Sequence, residues 1–377
     1  MTFTVSNDSL CNALAIIIKI VSPKNMLPVL DDIVFKIEGD FLHLKGADIE
    51  NQLTTKVCVL NADGEGEFAV NARNILEAVK NLPELPLTFI FNEDNDTLVM
   101  NYQNGSFSLP TQKTYEFPTL PEIKEEDAVT IEIPQNILLE NIARTVFATA
   151  QNELRPIMNG IFFDLTDESL NIVASDGHQL VRNMVTTIHA TQGNKGSFIL
   201  PKKPAMLLKN FLGKGEEMAT ITADSAYILV ETEHYALRSR LIDGRYPNYN
   251  SVIPLANPNR LTADRLTLMA ALKRVTPFAN DSSHLVKVNI KESELMLEAE
   301  DYDFSRTAKE KMTCDYAGQT ITIGFKGVSV IEILNNIKSP QIEIQLADAS
   351  RAALILPAEQ PEGQEIVMLQ MPMLINS

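Results

Sequence analysis

The chain has no tryptophan, and its 377 residues include only three cysteines and five histidines. Cys11, Cys58 and Cys314 are far apart, odd in number and outside any CxxC spacing. That excludes a disulfide framework and a cysteine zinc site, and it fits a reducing, cytoplasmic setting. The histidines at 43, 178, 189, 234 and 284 form neither HxxxH nor HExxH, so no zinc helix is expected. Neither GxxxxGK[ST] nor GxGxxG occurs, and Gly213-Lys-Gly215 is too short to cradle a phosphate. The acidic residues are scattered, which argues against two-metal chemistry. No apolar run is long enough to span a bilayer. The longest, Ala13 to Val21, is broken by Lys19 and reads as a buried helix face. The first residues lack a basic segment, so no secretory signal is expected. These absences leave no expected catalytic residue, metal or cofactor.

What is present is modular. The length exceeds what one core accommodates, so two or three domains are expected. Ile33–Ile37 with Phe41–Leu44, Ile161–Leu165 with Leu170–Ile172, and Val286–Ile290 with Leu295–Leu297 each read as two short strands around a polar turn. An aspartate follows each hairpin at the same offset: Asp48, Asp176 and Asp301. Further on, Phe68–Val70, Phe198–Leu200 and Ile321–Ile323 each feed an amphipathic helix, at 71–82, 201–212 and 326–337. Another strand follows each helix, at 87–91, 219–222 and 342–346. Each unit also opens with a helix, expected over 6–20, 134–151 and 262–276, with Thr262 and Asp264 marking a start and Pro134 in a first turn. The joints at 117–127 and 246–258 are rich in proline and polar residues. The order of elements recurs three times, as in a repeat architecture. The expected fold is α+β, with domains 1–126, 127–256 and 257–377.

The net charge is −17, which at first disfavours nucleic acid. Its distribution says otherwise. The six expected helices, counted with Lys214 and Lys338 at their ends, carry +8, and the remaining residues carry −25. The middle unit's second helix, with Lys202, Lys203, Lys209 and Lys214, is the most basic. Together with Lys24, Arg73 and Lys80 these residues form a candidate phosphate-facing surface without base specificity. Ser175-Asp-Gly-His178 contains the residue types of a triad, but a triad needs groups converging from separate elements. The stretch reads as a turn, with His178 capping or packing it. Two other readings are an acidic scaffold binding only proteins, and an enzyme using Asp176 and His178 as an acid-base pair.

Five motifs carry a resemblance over the full length. They are Met26-Leu-Pro-Val-Leu30, Ala174-Ser-Asp-Gly-His-Gln-Leu180, Leu241-Ile-Asp-Gly-Arg-Tyr-Pro-Asn-Tyr249, Ile323-Gly-Phe325 and Met371-Pro-Met373. In this order and spacing the chain resembles the bacterial DNA polymerase III beta subunits, the sliding clamps. The resemblance implies three clamp domains with sheets outside and two helices each inside, and two chains paired head to tail in a six-domain ring. Twelve helices about 10 Å apart would enclose an opening of about 28 Å, enough for a duplex about 20 Å wide. Six would leave only about 9 Å.

The resemblance also implies sites and partners. Lys24, Arg73, Lys80, Asn152 and Lys202 would face double-stranded DNA. Phe107 and Leu109 on an edge strand, with Phe278, would form the homodimer contact. Met158, Ser175, Gly177, His178, Leu180, Pro247, Val252, Ser350, Met371, Pro372, Met373 and Leu374 would line an apolar groove. That groove would take short peptides from the replicative polymerase, the clamp loader and repair proteins. Gln179, Ser251, Ser283 and the ending Leu374-Ile-Asn-Ser377 depart from the commoner family pattern.

Overall fold

Six times along the chain a strand runs straight into a helix and is followed by three more strands. The computed structural model describes residues 1–22, 25, 27–151, 154–190 and 194–375. The first half-repeat is β1 (Thr2–Ser6), α1 (Asn7–Ile17), β2 (Asp32–Glu38), β3 (Phe41–Ala47) and β4 (Asn51–Cys58). After a short β5 (Asn61–Asp63) come β6 (Gly66–Asn71), α2 (Ala72–Val79), β7 (Pro86–Asn92), β8 (Thr97–Tyr102) and β9 (Gly105–Gln112). The middle repeat is β10 (Val129–Pro134), α3 (Gln135–Thr145), β11 (Gly160–Leu165), β12 (Leu170–Ser175) and β13 (Gln179–Val185), then β14 (Gly196–Pro201), α4 (Lys202–Phe211), β15 (Met218–Ala223), β16 (Tyr227–Glu231) and β17 (Tyr235–Arg240). The last is β18 (Asn259–Asp264), α5 (Arg265–Val275), β19 (Leu285–Lys291), β20 (Glu294–Asp301) and β21 (Arg306–Thr313). It continues through a two-residue β22 (Asp315–Tyr316) to β23 (Ile321–Lys326), α6 (Gly327–Asn335), β24 (Gln341–Leu346), β25 (Ala353–Pro357) and β26 (Gln364–Gln370).

Each of the three repeats is therefore double, a division the hairpin pattern alone did not reveal. The leading strands exchange: β1 pairs with β7 and β6 with β2, β10 with β15 and β14 with β11, β18 with β24 and β23 with β19. The expected opening helices were too long, for α1 and α3 mainly at their far ends, which fall at Ile17 and Thr145, and the strands β1, β10 and β18 that lead into them were not expected. Pro134 ends β10, and Thr262 lies inside β18. Three of the helices, α1, α2 and α5, start where a polar residue ends the strand and caps them. Ser6 accepts from the N–H of Ser9, Asn71 from that of Asn74 and Asp264 from that of Thr267. The helix expected to reach residue 151 stops at Thr145, whose hydroxyl bonds back to the Asn141 carbonyl, and a 3-10 turn follows over Val146–Ala148.

The three recurring aspartates have a common task. Asp48 accepts the N–H groups of Glu50 and Asn51, Asp176 those of His178 and Gln179, and Asp301 those of Asp303 and Phe304. Each folds the chain back between two strands as an Asx turn. The second halves repeat the device one turn earlier, at Asn92, Asp224 and Asp348.

The chain divides into two compact units, Met1–Leu139 with Lys203–Leu241, and Glu140–Lys202 with Ile242–Ser377. In the first, thirteen strands form one sheet in the order β10-β15-β16-β17-β4-β3-β2-β6-β9-β8-β7-β1-β5. The pairing of β4 with β17 joins the first repeat to the middle one, with Leu53 opposite Leu237. In the second unit nine strands run β14-β11-β12-β13-β26-β25-β24-β18-β22, and a separate sheet is β21-β20-β19-β23. Here β13 pairs with β26, with Val181 opposite Met368. A cavity of about 30 Å³ lies inside the last repeat, lined by Leu268, Val288, Phe325, Ile355 and similar side chains. With no polar group to hold water it is a packing void.

Candidate functional site

The residues expected to line a groove all belong to the second unit. Alignment of β13 with β26 puts Leu180 opposite Leu369 and Gln179 opposite Gln370. Val173, Leu180, Leu354, Val367 and Leu369 present one apolar face, covered by the chain from Ile242 to Ile253. Tyr246 stacks flat on Phe162 at 4.7 Å, and the Tyr249 hydroxyl donates to Asp164 Oδ2 at 3.0 Å. Burial pushes the Tyr246 hydroxyl up, and burial with the Asp164 charge pushes Tyr249 up to about 12, so both stay neutral.

The turn Ser175–His178 stands at the edge of this face. The Ser175 hydroxyl donates to the Gln179 carbonyl and accepts from Gly177 N–H, and the Gln179 amide reaches Asp176. Serine and aspartate are thus taken up by the turn, and Gly177 supplies its positive φ of 91°. His178 neither caps nor packs the turn with its ring, which is exposed. Its carbonyl accepts the N–H of Met371 at 2.8 Å. The triad geometry considered for this stretch does not exist.

Met158, Ser175 and Leu180 are buried, while Gly177, His178, Pro247, Val252, Met371 and Leu374 are exposed. Pro372 and Met373 are half-buried. Ser350 is in the exposed β24–β25 turn, held by Asp348, and the neighbouring Ala352 packs in the same apolar cluster as Leu180. Past β26 the chain lies against β23: Met373 N–H donates to the Gly324 carbonyl at 2.8 Å. A Cβ on Gly324 would stand 2.8 Å from the Met373 carbonyl oxygen, which accounts for glycine in Ile323-Gly-Phe325. One rim residue escaped the sequence reading. The Arg155 guanidinium lies 3.4 Å from where a Gly177 Cβ would be. Its only sequence signal was its place just before Pro156-Ile-Met158.

The expected basic surface is partly redirected. Lys203 Nζ contacts Asp48 Oδ2 at 2.5 Å, the Ile20 carbonyl at 3.1 Å and the Ser22 hydroxyl at 3.2 Å. All three ammonium donors are occupied, so Lys203 holds two repeats together. Arg144 is buried against Glu140 and Gln364, Arg265 donates to the Leu334 and Ser339 carbonyls, and Arg274 pairs with Glu310. Arg73 is exposed on α2 and Lys80 exposed just past its end, paired with Glu77, and Lys202 opens α4 half-exposed. Lys24 and Asn152 lie outside the described residues.

Phe107 and Leu109 are on β9, which pairs with β8 throughout but with β6 only at Thr111 and Gln112. Among the described residues the edge from Gly105 to Leu109 is open, with Phe107 stacked on Tyr102 at 5.6 Å. Phe278 ends a 3-10 turn after α5 and is 41% exposed. Beside it β21 pairs only with β20 and has an open outer edge among the described residues. Among those residues no group of three or more His, Cys, Asp or Glu could hold a metal ion. No helix is long and apolar enough to cross a membrane.

Repeated modules joined edge to edge through β4 with β17 and β13 with β26 define a repeat protein. Three family models match in series: the N-terminal domain of the DNA polymerase III beta subunit over residues 1–121, its central domain over 132–248 and its C-terminal domain over 250–373. The chain is 28% identical over 369 residues to the beta sliding clamp of Pseudomonas putida, covering 98% of this chain and 99% of that one. It is 27% identical over 371 residues to that of Haemophilus influenzae, with 98% and 99% covered. The crystal structure of the Pseudomonas aeruginosa beta subunit superposes with a TM-score of 0.92 at 26% identity, both chains fully covered. The same species' clamp bound to griselimycin gives 0.93 at 26% identity, again with both chains fully covered. The chain belongs to the bacterial DNA polymerase III beta-subunit family, and its function is that of a DNA sliding clamp, a processivity factor.

Proposed function

We propose that two copies close head to tail into a six-domain ring around duplex DNA, and that the groove beside β13 and β26 tethers partner proteins. The observation that carries the ring is internal. Two joints of one design are closed within the chain, β4 on β17 and β13 on β26, and the halves of a third are open at β21 and β9.

The hairpin partners Gly46, Ala174 and Ala299 identify Leu53, Val181 and Ala308 as equivalent positions. Val230, Ile355 and Met100 do the same for Leu237, Met368 and Phe107. The closed joints set Leu53 opposite Leu237 and Val181 opposite Met368, so the third sets Ala308 opposite Phe107 of a second copy. Backbone polarity supports this register independently. Thr111 N–H donates to Asp96, and Cys314 N–H donates to Ser293. Alternation then turns Ser106, Ser108, Thr307 and Lys309 toward the open edges. The register pairs Thr307 with Ser108 and Lys309 with Ser106. The large Phe107 meets the small Ala308 beside Phe278, as a packed joint requires.

In this reading the boundaries fall near residues 126 and 256. DNA is held topologically, with Lys24, Arg73, Lys80, Asn152 and Lys202 giving weak, sequence-independent phosphate contacts. The groove from Met158 to Leu374 accepts short peptides of the polymerase, the loader and repair proteins, and the protein works in the cytoplasm at the nucleoid. Two measurements test the reading. The solution mass should be twice the 41.9 kDa chain, and retention should be much longer on circular than on linear DNA. A monomer at every concentration, or equal retention on both DNA forms, would overturn the ring.

A further inference from the structure

Lys203 is the second residue of α4, directly after β14. Its counterparts after β6 and β23 are Arg73, second in α2, and Val328, second in α6. In the first closed joint Lys203 reaches across to Asp48, the turn aspartate before β4. In the second joint the residue equivalent to Lys203 by position in the repeat is the uncharged Val328, which offers no cation to Asp176. The third joint would bring the half-repeat containing Arg73 against the turn that begins at Asp301.

That turn differs from its counterparts. Asp301 pairs with Arg306 across four intervening residues, where Asp48 N–H meets the Asn51 carbonyl across two. The longer turn exposes Tyr302, Asp303 and Phe304. Arg306 takes the place of Asn51 and Gln179, which serve the turn aspartate in the first two repeats. Its guanidinium donates to Asp301 at 2.6 Å, lies 3.6 Å from Asp281 and stacks over the Phe304 ring at 5.0 Å. Asp281 and Asp301 therefore share one cation, and with the exposed Asp303 beside them the turn carries an excess of negative charge.

We infer that Arg73 of one copy forms an ion-pair latch with the Asp281–Asp303 turn region of the next, the intermolecular counterpart of Lys203 on Asp48. The inference rests on the head-to-tail dimer proposed above. It gives Arg73 a role in closing the ring besides any contact with phosphate. An exposed pair changes an equilibrium by up to about fivefold, and a closed dimer contains two, so together they contribute up to about 25-fold.

The test is a charge exchange read by the dimer dissociation constant from sedimentation equilibrium. Arg73→Glu, and separately the double variant Asp281→Lys with Asp303→Lys, should each weaken the dimer at least about tenfold. All three changes together should return it to within about threefold of the parent. Arg73→Gln, which removes charge without reversing it, should lie between, and thermal melts confirm folding of each variant. Unchanged dissociation constants in folded variants would overturn the latch while leaving the dimer intact. So would a loss in the singles that the combination does not restore, or an Arg73→Glu effect confined to retention on circular DNA. A parent protein that stays monomeric would remove the dimer itself.

Discussion

Lys203 Nζ stands 2.5 Å from Asp48 Oδ2, tying the second helix of the middle repeat to the turn that opens β4. Asp48 is mostly buried and also holds Asn51, whose side-chain oxygen accepts from Ser239. Lys203→Ala leaves Asp48 with its other donors, so the expected loss is modest, about 1 kcal/mol. Asp48→Ala orphans the buried Asn51 N–H and should cost about 2–3 kcal/mol. Urea unfolding measures both. Because Lys203 is occupied, its removal should leave the salt dependence of DNA retention unchanged, while Lys202→Ala should flatten it.

Asp32 gives a pH signature. Burial, with Asp31 alongside, raises its carboxyl from 3.8 to about 6. Its Oδ2 has no partner among the described residues. The folded state therefore binds more protons than the unfolded chain between these values. This contribution to stability is full below about pH 4 and is lost as pH rises through 6, an effect of about 1–3 kcal/mol. Asp32→Asn should remove that slope and be the more stable protein at pH 7. Denaturant midpoints at pH 4, 5, 6 and 7 are the check. A slope equally steep in the variant would assign it to other groups.

The groove can be separated from the ring. A variant carrying Met371→Ala and Met373→Ala keeps β9 and β21 and should dimerise like the parent. It loses two adaptable apolar side chains at the rim, so its affinity for a polymerase-derived peptide should fall about tenfold or more. Binding at parental affinity, measured by calorimetry, would remove these residues from the partner site.

Pro110 predicts a gain. At the ends of the two closed joints Arg240 N–H donates to the Glu50 carbonyl and Met371 N–H to that of His178, both at 2.8 Å. The equivalent residue on β9 is Pro110, which has no N–H to offer Ser305 of a second copy. Pro110→Ala restores the donor. It should tighten the dimer by about two- to tenfold per joint, the worth of one net hydrogen bond. A dissociation constant that stays put would argue against the shared register.

Much of the fold was legible because burial alternates along strands and turns need particular residues. Asp48, Asp176 and Asp301 marked equivalent turns correctly, since an Asx turn leaves a fixed offset. The leading strands β1, β10 and β18 were hidden because each is short and runs into its helix with no intervening loop. Arg155 was not legible, because its position beside Gly177 depends on contacts distant in sequence. Counting charge on helices overstated the DNA-facing surface. The count could not tell that Lys203, Arg144, Arg265 and Arg274 bond to neighbouring elements.

The pairing of β4 with β17 has a consequence for synthesis. The two strands are about 180 residues apart, so at ribosomal speed β17 emerges roughly 10–40 s after β4. Throughout that interval β4, whose only charged residue is Lys56, lacks the neighbour that finally covers its outer edge. On a crowded polysome that edge can recruit the same strand of the next nascent chain. Slower translation through the middle repeat lengthens the exposure, so the yield of native protein should depend on elongation rate between residues 58 and 240 more than on the rate elsewhere.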